Sequence, residues 1–355
     1  MIRRLHGIAA FAGCLALTVG TLCAWAEENP GSRQSGSERN AAAQITPATE
    51  QAIARGLAFL VSRQHPDGSF GSGGYSGNVA VVSLCGMAMM SNGTTPGRGP
   101  FGKQVNLCLD YVLANTQESG FISAPNFVQQ GPMYGHGFAA MFLAECYGAS
   151  PRPEVREKLS RAVRLIVNTQ SDTGGWRYLP QRSDPDISVT ICQVMALRAA
   201  KNAGIHVPRE VVDRSIDYIK RSQNADGGFM YMLSQGGESA FPRSAAAVVG
   251  LFSAGIYEGP VVDKGLKYLA NYRPQPGVAH RVSWFYYGHY YAGLAMWQVG
   301  GETWNGWFPA IRDDLLGKQQ PNGSWTDPSV SSEFGTAMAC LILQMPNDCL
   351  PIFQR

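Results

Sequence analysis

Apolar residues return at a helical period in five stretches of the chain. Ile53, Gly56, Leu57 and Leu60 stand at i, i+3, i+4 and i+7, the spacing of one helix face. The stripe recurs as Val105/Cys108/Leu109/Val112, Leu159/Ala162/Val163/Ile166, Val212/Ser215/Ile216/Ile219 and Val262/Gly265/Leu266/Leu269. Its second position is small each time, which lets a neighbouring helix come close. The opposite faces carry charge, as in REKLSR and REVVDRS. A sixth copy, Ile311/Asp314/Leu315/Lys318, is the weakest. Between the stripes lie runs with few charges: NVAVVSLCGMAMM, GFAAMFLAECYG, ISVTICQVMALRAA, SAAAVVGLFSAG, YYAGLAMWQVGG and FGTAMACLILQM. A helix without a polar face is buried all round. The pattern predicts an outer amphipathic helix and an inner apolar helix, repeated six times.

The connections repeat too. QHPDGSF (64–70), QSDTGGW (170–176), QNADGGF (223–229) and QQPNGSW (319–325) each place Gly four residues after Gln and an aromatic six after it. A further copy reads as the shortened QESGF from Gln117, and near 271 only NYRPQPG stands. The expected roles are a Gln that bonds the loose end of the outer helix, a Gly of positive φ that ends it, and an aromatic wedge between hairpins. Gly174, Gly227 and Gly323 carry that expectation most clearly. Six hairpins of about 50 residues predict an all-α fold, a closed (α/α)6 barrel or toroid. An open α-solenoid is the alternative.

Gln-x-x-x-Gly-x-Trp/Phe turns at this period resemble the QW-type repeats of the terpenoid-cyclase and protein-prenyltransferase α/α toroids, over residues 47–355. The resemblance implies the toroid more than an activity. Squalene and hopene cyclases use an Asp-x-Asp-Asp acid motif. SDPDIS matches it at Asp184 and Asp186 but has Ile187 in the third place. Those cyclases also carry a second barrel, for which this chain has no room. Prenyltransferases hold zinc through Asp, Cys and His, and no such set stands out. The Gly-Cys-Gly-Glu-Gln of thioester domains is absent. The nearest look-alikes are exported toroid proteins of unassigned role.

Composition changes the picture at the ends. MIRR followed by IAAFAGCLALTVGTLCAW and AWA ending at Ala26 reads as a signal peptide over 1–26, with a retained membrane anchor as the alternative. Residues 27–46 are polar and small and read as a disordered linker. The toroid is then a single domain over 47–355, and the protein is exported, periplasmic or secreted. No later stretch is apolar enough to span a bilayer. The net charge of +3 has no basic cluster, so nothing points to nucleic acid. Six cysteines follow the signal, and Cys340 and Cys349 are near enough in sequence to pair. No cysteine spacing suits a metal, and no cofactor is implied.

Aligning the inner helices on their first small or branched residue puts one polar residue three positions earlier in every unit: Asn78, His136, Asp186, Arg243, His289 and Glu333. In a closed barrel these six starts surround one mouth. The expectation is a single ring above an apolar cavity, with Asp184 just outside it and Arg243 paired to Asp186 or Glu333. Helix capping is the competing role for the carboxylates. Asp184, Asp186, His136, His289 and Glu333 are the catalytic candidates. Asn78, Arg243, Tyr134, Trp284, Tyr286 and Tyr287 are the ligand-binding ones. Three functions fit: a binding protein for an apolar or peptide ligand at the mouth, a terpenoid-cyclase-like enzyme with Asp186 as proton donor, and a polysaccharide lyase or hydrolase. The ligand is a small apolar molecule, an isoprenoid, a glycan or a peptide.

Overall fold

The computed structural model describes residues 44–125, 131–150, 152–275 and 283–354. The signal segment and most of the linker lie outside the described residues. Among the described residues twelve α-helices run in chain order: α1 Pro47–Arg63, α2 Val79–Met90, α3 Gly102–Ala114, α4 Pro132–Tyr147, α5 Pro153–Thr169, α6 Ile187–Asn202, α7 Arg209–Arg221, α8 Phe241–Ser253, α9 Pro260–Ala270, α10 Phe285–Val299, α11 Gly301–Lys318 and α12 Ser332–Gln344. No strand occurs among the described residues. Local chemistry sets several starts. Thr46 caps α1 by accepting from the Thr49 N–H, and Pro47 follows where a missing N–H costs nothing.

Even-numbered helices form the inner ring, and each packs on the next: α2 on α4, α4 on α6, α6 on α8, α8 on α10, α10 on α12, and α12 back on α2. Outer helix α1 packs on α11 and α12, so the barrel is closed rather than an open solenoid. The small stripe position does what its size predicts. A Cβ on Gly56 would lie 2.7 Å from Cys340 Sγ and 2.8 Å from the Trp325 ring. Three stripes differ from expectation. In α9 Tyr268 is buried and Leu266 only partly so. In α7 the buried set is Val211, Ser215, Tyr218 and Ile219. In α11 it is Trp304, Trp307, Phe308, Ile311 and Leu315, so the weak sixth stripe is a strong one that starts earlier.

The turns join neighbouring units. The side chains of Gln64, Gln170, Gln223 and Gln319 turn away from the end of their own helix. Each carboxamide donates to its own turn glycine carbonyl (Gly68, Gly174, Gly227, Gly323) and to a carbonyl in the following outer helix (Gln104, Val211, Val261, Ala52). The Gln319 bond to Ala52 closes the ring. The aromatic takes the capping role instead: the indole N–H of Trp176 donates to Ile166 O and that of Trp325 to Leu315 O, both 2.8 Å. Those carbonyls belong to the last turn of α5 and α11, where no helical partner exists.

The turn in the second unit is not shortened. Gln117 N–H bonds Phe121 O as Ser171 bonds Gly175 and Asn224 bonds Gly228. The true frame is therefore Thr116, Gly120 and Ile122, and Ile122 is the buried wedge while Phe121 is partly exposed.

The inner helices are closely packed. Val82, Leu84, Met141, Phe142, Ile191, Met195, Tyr291, Leu294, Met338 and Leu341 have no accessible surface. No water-sized void therefore opens onto these ten side chains. At the end away from the mouth, 3₁₀ turns Met345–Asn347 and Pro351–Phe353 fold under α6 and α10, burying Leu350, Ile352 and Phe353. Cys340 is buried and Cys349 exposed, and both are free thiols, so the local disulfide does not form.

Candidate functional site

Among the described residues, Asn78, His136, Asp186, Arg243 and Glu333 share no hydrogen bond or ion pair with one another; each turns to its own neighbours. Asn78 caps α2, its Oδ1 accepting from the Ala80 N–H at 2.9 Å. His136 is fully buried beneath the second turn, and its Nδ1 accepts from the Ile122 N–H at 3.2 Å. Thr190, Ser244 and Thr336 accept from Trp176, Phe229 and Trp325 in the same way. His136 is thus the second unit's version of a hydroxyl that anchors the wedge. Burial pushes its imidazole down to about 4, the Ala162 backbone opposing, so it stays neutral. His289 is buried among Phe241, Phe285 and Trp307, with ring centroids 4.9, 4.4 and 6.0 Å away.

The two charge partners differ from expectation. Arg243 reaches neither Asp186 nor Glu333. Its guanidinium donates to Phe229 O at 2.9 Å and to Glu238 O, holding the loop before α8. Glu333, 1% exposed, accepts from Arg63 Nε at 3.0 Å and Ser72 Oγ at 3.2 Å in a groove between α1 and α12. Burial raises its pKa, but its backbone, Arg63 and Ser331 outweigh that and hold it below the usual range. Sequence alignment brought these residues to one level of the barrel. It could not tell which way each side chain leaves its helix.

A smaller cluster does form around Asp186. Its Oδ1 caps α6, accepting from the Val189 N–H at 2.9 Å, and its Oδ2 lies 3.9 Å from Arg177 Nε. Burial pushes this carboxyl up to about 6, against the Val189 N–H, Arg177 and the Tyr231 hydroxyl. The Tyr134 hydroxyl is pushed up by burial first and then by the Asp186 charge, and that of Tyr287 by burial, then Cys192, then Asp186. Tyr178 and Tyr231 share a hydroxyl–hydroxyl bond. Arg177 lies over the Tyr178 ring at 4.8 Å and the Tyr231 ring at 5.8 Å, and Arg243 lies 6.0 Å from Tyr231 on its own side. Tyr134 meets Tyr178 at 6.1 Å. Asp184 sits outside at the rim, bonded to Ser234.

Arg177, Tyr178 and Tyr231 were missed in the sequence. They lie one or two residues past the turn aromatic, where no period marks them. The available signal was that Tyr178 and Tyr231 occupy the same place in units three and four. Each backbone carbonyl there accepts from the first turn or start of the preceding unit's inner helix, Tyr178 from Met133 and Tyr231 from Ile187. Of the remaining candidates, Trp284 opens α10 with φ 56° and is 49% exposed. Tyr286 is buried with its ring edge-on to Phe285, apart from Tyr287, which packs on Tyr291. Among the described residues no three His, Cys, Asp or Glu side chains converge as a metal site needs. No described helix is long and apolar enough to cross a membrane.

Comparison with known proteins adds the lineage. Residues 138–293 match the squalene-hopene cyclase C-terminal domain family. Drimenyl diphosphate synthase of Streptomyces showdoensis is 25% identical over 209 residues, 57% of this chain. The chain spans about a third (36%) of that relative's length. The type II terpene cyclase MstE from Scytonema, solved as a variant with geranylgeranyl dihydroxybenzoate, superposes with a TM-score of 0.60 at 14% identity, over 85% of this chain and 98% of that one. An α-1,6-mannanase of Salegentibacter superposes at 0.58 with 8% identity, over 86% and 100%. Cellobiose 2-epimerase from Bacillus thermoamylovorans gives 0.57 with 10% identity, over 81% and 95%. The repeat, the closed ring and these likenesses agree: this chain has the α/α-toroid fold seen in terpene cyclases, and its residues 138–293 resemble the squalene-hopene cyclase C-terminal domain.

Proposed function

We propose that the protein is a ligand-binding toroid that works at its mouth rather than in its interior. The carrying observation is the tyrosine–arginine cluster of Tyr134, Arg177, Tyr178, Tyr231 and Tyr287 at the mouth. Broad aromatic faces with phenol and guanidinium donors suit an apolar or peptide ligand laid across them. Export is part of this reading, and is checked by whether the mature chain begins at Glu27. Binding is tested by titrating the purified protein with farnesol and with a proline-rich decapeptide, followed by tyrosine and tryptophan fluorescence. A saturable change that disappears in the Tyr178→Ala/Tyr231→Ala pair is expected. No response to either probe, or a response that the pair leaves intact, sinks the reading.

One observation favours a second reading. Asp186 is held near 6 by burial, so it carries a proton for part of the time close to neutral pH, as a proton donor must. Incubation with geranylgeranyl diphosphate or squalene decides this. A cyclised product lost in Asp186→Asn would make the protein a cyclase.

A further inference from the structure

A second groove, of about 860 Å³, lies on the outer wall along α5 and shares no lining residue with the mouth cluster. Its rim includes Tyr147, Ser150, Arg152, Arg156, Ser160 and Arg164. Arg156, Ser160 and Arg164 stand at i, i+4 and i+8 of α5, so they line one face. The two arginines are about 12 Å apart along the axis. Arg152 is neutralised by Asp110 and Glu154. The one acid of the groove, Glu157, is 3.4 Å from Arg161. Arg156 and Arg164 form no ion pair among the described residues, and both are exposed. The Ser160 hydroxyl donates to Arg156 O, which leaves its oxygen free to accept.

We propose that this groove binds an extended anionic polysaccharide. Two uncompensated guanidiniums two turns apart suit carboxylate or sulfate groups spaced along a chain, since each can grip one with paired N–H donors. The serine hydroxyls and the partly exposed Tyr147 ring suit sugar hydroxyls and a sugar face between them. The site is concave, so a flat lipid surface would not reach its floor. It is independent of the mouth and of the function proposed there.

The experiment measures retention of the full chain on polygalacturonate, with neutral dextran and phosphatidylglycerol vesicles as comparison arms. Binding to polygalacturonate, absent on dextran and weakened by salt, is expected. Arg156→Gln with Arg164→Gln should weaken it about tenfold. Removing equal charge elsewhere, by Arg209→Gln with Lys220→Gln on α7, should change it by less than about twofold. All four residues are exposed, so the variants should fold, and a melting curve checks it. Equal losses in the two pairs would reduce the effect to bulk charge and overturn the site. So would binding to vesicles alone, or no binding to polygalacturonate.

Discussion

Thr190 holds a turn with one oxygen. Its hydroxyl accepts from the Trp176 N–H and donates to Asp186 O at 2.6 Å, with no exposure to water. Replacing it by valine keeps the shape and strands the Trp176 N–H, while Asp186 O keeps the Thr190 N–H, so Thr190→Val should cost about 1–3 kcal/mol in denaturant unfolding. Trp325→Phe removes the indole bond to Leu315 O and leaves a void where the larger, fully buried ring stood, and should cost about 2 kcal/mol or more. The aromatic wedge was legible at 70, 176, 229 and 325 because Trp and Phe stand out in sequence. Its hydroxyl partner was not, because serine and threonine near a helix start look like ordinary caps. His136 misled for the same reason: an imidazole that anchors a turn is spelled like one that does chemistry.

At the scale of elements, the periodicities carried most of the fold. The stripes of α1, α3 and α5 fall where read, that of α9 does so at three of its four positions, and each inner run is a buried helix. What a stripe cannot encode is a contact between units, and the Gln bonds are of that kind. The turn glycines show how tightly the units close. Gly227 has φ 89°, and a Cβ there would meet Lys264 O at 2.4 Å. Gly236 is also left-handed, at φ 63°, but nothing lies within 4 Å of its Cβ position. Gly236→Ala should therefore cost about 1 kcal/mol, from backbone strain alone. Gly227→Ala should cost at least about 2 kcal/mol, since the neighbouring helix must also move. Equal melting temperatures for the two variants would refute the close-approach argument. The mouth cluster was half legible. Asp186 and Tyr134 sit on helix starts, which the pattern located, whereas Arg177, Tyr178 and Tyr231 sit in loops that carry no period.

Across the whole molecule, the end opposite the mouth is sealed by the tail. Glu145 Oε1 accepts from the Ile352 N–H at 3.2 Å there. Burial pushes the Glu145 carboxyl up to about 8, against the pull of that N–H. The folded protein thus keeps a proton that the unfolded chain releases near 4.5. Stability should fall as pH rises from about 4.5 to about 8, and level off above. Glu145→Gln keeps an acceptor for Ile352 and carries no charge, so its urea midpoint should lose that slope and exceed wild type at pH 8. A slope unchanged in the variant would place the titration elsewhere.

The closed ring also fixes which way the protein faces. Outer helices run toward the mouth and inner helices run away from it, so α1 begins and α12 ends at the sealed end. Gln44, just before α1, is held there by Arg312 and Asn305. The chain enters and leaves the barrel by one door, and the tyrosine surface is at the other. Anything that grips the protein by either end, a tether or a support, would present that surface outward, clear of its own attachment.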